Sequence, residues 1–140
     1  MIESLINSYK ETTYTTYNPK IEIIIGENSN ALNLYLKKID EKLWAFITAE
    51  NPRSRPFSKE NNSLRNQVLE TYLIKKNIHY LKGLGIPKDK NWEPENSFLI
   101  VGVNKKSAEE IAITFEQNAF VYGEYNKTPE LVYGYLHQSR

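Results

Sequence analysis

One almost continuously apolar segment, Leu43-Trp44-Ala45-Phe46-Ile47-Thr48-Ala49, limits the folds open to this chain more than any other stretch. A run without polar alternation has no face to offer water, so it belongs to a strand covered on both sides. The second such run, Phe98–Val103, predicts a second inner strand. Between and after them the periodicity changes from two to 3.6. Ser58 is placed to cap a long helix reaching about Lys76, with Glu60 in its first turn and Asn77 beyond its end. Ser107, with Glu110 three residues on, has the form of a capping box, and Ala108, Ile111, Ala112 and Phe115 give the helix an apolar face. Ile78–Leu81 and Ala119–Gly123 read as further strands, Gly83–Pro94 as a loop, and Leu131–Tyr133 as a hairpin partner.

Residues 43–123 therefore run strand, helix, strand, strand, helix, strand. The predicted class is α+β, an α/β sandwich with the split β-α-β core of ferredoxin-like folds. An extra strand at Lys20–Gly26 and a helix with a Leu32, Tyr35, Leu36 and Ile39 stripe precede the core. Apolar positions at Ile2, Leu5, Ile6 and Tyr9 predict an N-terminal helix, an appendage within residues 2–15. A length of 140 residues and the lack of repeats fit a single domain over 1–140.

Composition removes several function classes. With 18 Lys+Arg against 17 Asp+Glu, the net charge of +1 argues against a bulk polyanion binder. The absence of cysteine excludes a thiol nucleophile and a thiolate metal site. His79 and His137 are the only histidines, and His79 falls mid-strand without an aspartate or cysteine neighbour at ligand spacing, so no metal is expected. No phosphate-binding glycine loop opens a helix, and no cofactor is expected. Ten tyrosines suggest base stacking, but most fall where an aromatic simply packs, which argues against nucleic acid. No apolar run approaches the ~20 residues of a membrane span, and no signal peptide precedes the fold, so a cytoplasmic setting without membrane contact is expected.

Polar residues break the pattern at four places. The turn Thr48–Ser58 leaves an inner strand, enters a helix N-terminus, and carries Asn51, Arg53, Ser54, Arg55 and Ser58 along with two prolines, Pro52 and Pro56. Backbone N–H groups and arginines there suit a small anion; the alternative is a basic turn whose arginines are solvated or salt-bridged and whose Ser58 only caps the helix. On the helix, Asn62 and Arg65 share a face with Leu69 and Tyr72, and must find partners in the turn or in a ligand. Glu95 and Ser97 flank the entry to the second apolar strand, with Glu95 a general base or a partner for Arg65. Gln117 and Asn118 end the last helix.

The stretch Trp44–Pro56, containing Asn51-Pro52-Arg53-Ser54, resembles a family of small bacterial proteins with phage relatives, a domain of unknown function marked by Asn-Pro-x-Ser. The likeness continues through Ser58, Asn62, Arg65, Gly83, Trp92, Glu95, Ser97, Phe98, Gln117-Asn118-Ala119 and Tyr122-Gly123-Glu124. Asn61 departs from the acid that relatives often carry. The resemblance brings no activity; it implies that Asn51, Ser54, Asn62, Arg65, Glu95, Ser97 and Gln117 are the pattern's polar elements. The first expectation is a module holding a small anionic ligand through Asn51, Arg53, Ser54 and Arg65, with Arg65 needed for the ligand rather than for folding. The alternatives are a hydrolase or transferase acting on a phosphorylated or nucleotide-like substrate with Glu95 as base, and a protein-interaction domain.

Overall fold

The computed structural model describes residues 2–135. Four helices, α1 (Ile2–Glu11), α2 (Asn30–Lys38), α3 (Lys59–Lys75) and α4 (Lys105–Thr114), accompany seven strands. These are β1 (Thr13–Thr16), β2 (Glu22–Ile23), β3 (Leu43–Ile47), β4 (Tyr80–Ile86), β5 (Glu95–Val101), β6 (Ala119–Glu124) and β7 (Glu130–Tyr133). They form one curled antiparallel sheet in the order β2-β1-β4-β5-β3-β6-β7. Its inner four strands, β4-β5-β3-β6, linked through α3 and α4, are the expected split β-α-β core, so the fold class is α+β.

Both apolar runs lie where their lack of a polar face requires. β3 sits between β5 and β6, pairing Ala45 with Ile100 and with Tyr122. Its side chains alternate between two apolar layers. Ala45 and Ile47 pack with Leu69 and Leu73 of α3 and with Ala108, Ile111 and Phe115 around α4. Trp44 and Phe46 face the other way, against Leu32 and Leu36 of α2 and Tyr14, Ile21 and Ile23.

Several expected boundaries move. The N-terminal helix stops at Glu11, because the β-branched run Thr12–Thr16 joins the sheet as β1. The strand expected at 20–26 shrinks to Glu22–Ile23 before Gly26 turns with φ 87°. Gly83 and Gly85 lie inside β4 rather than in a loop, leaving His79 just ahead of the strand instead of within it. A Cβ on Gly83 would collide with the Thr15 carbonyl oxygen, so this glycine serves the close approach of β1. The cap of α4 is Asn104, whose Oδ1 accepts from Ser107 N–H, and not Ser107 itself. α3 begins as expected, with the Ser58 hydroxyl accepting from Asn61 N–H.

Gly123 stands opposite Trp44 in the β3–β6 pair, and a Cβ there would lie 2.5 Å from the indole Cζ2. Trp44 is fully buried and has no room to yield. Gly123→Ala is therefore expected to cost about 2 kcal/mol through overpacking, read as a lower urea midpoint at unchanged slope. Full retention of stability would mean that the indole can move.

Candidate functional site

β3 and β6 meet α3 at one end of the sheet, and there the polar residues singled out from the sequence converge. The chain leaves β3 through Thr48, whose hydroxyl donates to the Asn96 carbonyl at 2.6 Å. It then makes a turn in which Asn51, Arg53 and Ser54 all have positive φ, at 49°, 55° and 59°. Left-handed backbone costs a non-glycine residue roughly 1–2 kcal/mol. Three such residues in four need fixed partners, and α3 and the α4–β6 connection supply them.

Asn51 is the hub. Its Oδ1 accepts from Phe57 N–H and from Asn62 Nδ2, both at 2.9 Å, while its own N–H donates to Asn62 Oδ1 at 2.9 Å. Its Nδ2 donates to Glu95 Oε2 at 2.7 Å. One turn along α3, buried Asn66 repeats the device: Oδ1 accepts from Ala49 N–H, and Nδ2 donates to the Asn96 carbonyl and the Glu50 carboxylate. Gln117 Nε2 donates to the Glu50 carbonyl at 3.0 Å, and Asn118 Nδ2 to Ser54 Oγ at 3.0 Å.

Arg65 points into this network but spends its donors on protein. Nε donates to the Ala49 carbonyl and Nη2 to the Phe115 carbonyl, both at 2.6 Å, and Nη1 lies 4.0 Å from Glu116. Its acidic neighbour is thus Glu116, not Glu95 as one reading of the sequence expected. Arg53 pairs with the same Glu116 at 3.1 Å at the exposed rim. Ser58 caps α3, and the Ser97 hydroxyl reaches only the Glu95 carbonyl two residues back. Asn51, Ser54, Asn62, Arg65, Glu95 and Gln117 therefore share one cluster, with Arg53 at its edge and Ser58 and Ser97 beside it.

Two carboxyls lie within. Beside Glu95, the acid singled out from the sequence, Glu50 is buried and accepts from Asn96 N–H at 3.0 Å. Burial raises Glu50 above its ordinary range, opposed by that N–H. Glu95 is displaced further, to about 7, chiefly by burial and also by the charge of Glu50, with the Asn51 amide opposing. No cation pairs with Glu95 among the described residues. Tyr9 of α1 brings its hydroxyl to the same place, beside Ser54 and the Ala119 backbone, and burial pushes its pKa upward.

Sequence reasoning missed Glu50, Asn66, Glu116 and Tyr9. Asn66 was open to discovery, since Asn62, Asn66, Leu69 and Leu73 recur at helical spacing as the buried stripe of α3. Tyr9 left no signal, because its role depends on where α1 docks. His79 lies elsewhere: its Nε2 shares a 2.6 Å hydrogen bond with the Tyr35 hydroxyl, beside a shallow hollow of about 360 Å³ at the far end of α3. His137 is outside the described residues.

No helix among the described residues is long and apolar enough to cross a membrane. No curated protein and no solved structure matches the chain. One family model does, over residues 47–120, which runs from the last residue of β3 through α3, β4, β5 and α4 to the start of β6 and holds most of the cluster. On that match the chain belongs to the family described as protein of unknown function (DUF3293).

Proposed function

We propose that the domain binds a small polar ligand beside the Asn51–Ser58 turn, recognised by the Glu95 carboxyl and the surrounding amides. The observation carrying this reading is Glu95 itself. A largely buried acid, lifted to about 7 and supported by one neutral amide, is costly to the fold when ionised, and a neutral acceptor would serve Asn51 as well. Asn51 already uses both amide groups, which fixes the carboxyl's direction. Arg65 spends its donors on two carbonyls and Arg53 pairs with Glu116, so an anionic group would have to displace Glu116 from Arg53 or draw on Arg55. A ligand that donates hydrogen bonds to Glu95, through hydroxyl, amine or amide groups, fits the free chemistry better.

A second reading rests on the same value near 7. An acid poised there can take or give a proton at neutral pH, so the site could act on such a ligand with Glu95 as general base. Both readings take the chain as one domain with α1 as an appendage. On the strength of the family resemblance, they put it in a bacterial cytoplasm.

A thermal-shift screen of polyols, amines, nucleotides and phosphorylated metabolites tests the proposal. A selective ligand is expected to raise the melting temperature of the wild type by mass action and to leave Glu95→Gln unshifted. An equal shift in both proteins would remove Glu95 from recognition, and a preference for phosphorylated compounds lost with Arg53→Ala would restore the anion reading.

A further inference from the structure

The side of α3 turned away from the sheet carries an apolar stripe that nothing among the described residues covers. Leu64, Val68 and Ile74 are 58%, 61% and 60% exposed. Gln67 and Thr71 complete the face, which holds no charge from Asn61 to Ile74. The charged residues within that span are directed elsewhere: Arg65 turns inward to the Ala49 and Phe115 carbonyls, and Glu70 is held by Tyr80 and Lys82. A solvated helix face is ordinarily charged, and an apolar stripe on both sides of one helix asks for two partners. The sheet is one of them.

Charges close the stripe at its ends. Exposed Glu60 lies in the first turn and exposed Lys75 in the last, and neither forms an ion pair among the described residues. They are separated by about 22 Å along the helix axis. We propose that this face is the contact between two copies of the chain, packed antiparallel about a two-fold axis between Gln67 and Val68. In that register Glu60 of each copy meets Lys75 of the other, Leu64 meets Thr71, and Gln67 meets Val68. A parallel pairing would set Glu60 against Glu60, so the charges select the antiparallel one. The arrangement brings the second copy's α3 C-terminus to the Asn51–Ser58 turn, although the inference stands independently of any ligand there.

Sedimentation velocity of the full chain across the micromolar range tests it. The wild type is expected to show a concentration-dependent monomer–dimer equilibrium. Val68→Asp should sediment as a monomer with an unchanged far-UV spectrum, since the side chain is exposed. Glu60→Lys and Lys75→Glu should each weaken association about tenfold, and the Glu60→Lys/Lys75→Glu double variant should recover it. A wild type that stays monomeric throughout overturns the proposal and leaves the face to a different protein. A dimer that survives Val68→Asp, or a double variant weaker than either single one, overturns it as well.

Discussion

Replacing Glu95 with glutamine is expected to make the protein more stable, and only above the acid range. The carboxyl is raised from an ordinary 4.5 to about 7 in the fold, so the native state holds its proton more tightly than the unfolded chain does. That preference stabilises fully below about pH 4.5 and is lost as pH climbs through 7. The difference corresponds to at most about 3 kcal/mol between the two limits. Glutamine cannot ionise yet still offers Asn51 Nδ2 an acceptor. Wild type and Glu95→Gln should therefore unfold at similar urea concentrations near pH 4, while near pH 8.5 the variant should be more stable by about 2–3 kcal/mol. Parallel denaturation curves at both pH values would show whether the carboxyl is in fact strained by burial; a constant difference across pH would show that it is not. A substitution that strengthens the fold while removing a ligand response is the mark of a residue retained for function.

Arg65→Ala is expected to weaken the fold by about 3 kcal/mol. The variant leaves the Ala49 and Phe115 carbonyls without their donor and removes the positive charge facing Glu116. Arg65→Lys should recover only part of the loss, because one ammonium cannot match a fork that reaches two carbonyls on different segments. Urea midpoints of the two variants against wild type measure this directly. The sequence pointed the opposite way, to a residue required for a ligand and dispensable for folding. A stable Arg65→Ala protein that no longer responds to a phosphorylated compound would reinstate that view.

The contrast shows what could be read from residues alone. The core order of strands and helices was legible because Leu43–Ile47 and Phe98–Val101 have no polar face, which forces both into the middle of the sheet. That Asn51, Asn62, Arg65, Glu95 and Gln117 would gather was legible too, since each sits at the end of an element, or in the first two turns of α3, where such a sheet brings them together. Who bonds to whom was not. Arg65 could have met Glu95, Glu50, Glu116 or solvent, and only the path of the α4–β6 connection decides among them. Likewise, the threonine and tyrosine run after α1 allows helix fraying or a strand equally, until the edge of β4 offers it a partner. Propensity proposes, and pairing decides.

Arg53 and Ser54 hold backbone angles that glycine would adopt freely. Exchanging both for glycine would relax the peptide while erasing the Arg53–Glu116 ion pair and the Ser54–Asn118 hydrogen bond. Two ill-suited residue types thus act as a built-in orientation device: tension in the main chain aims side-chain groups that a more comfortable loop would leave to wander.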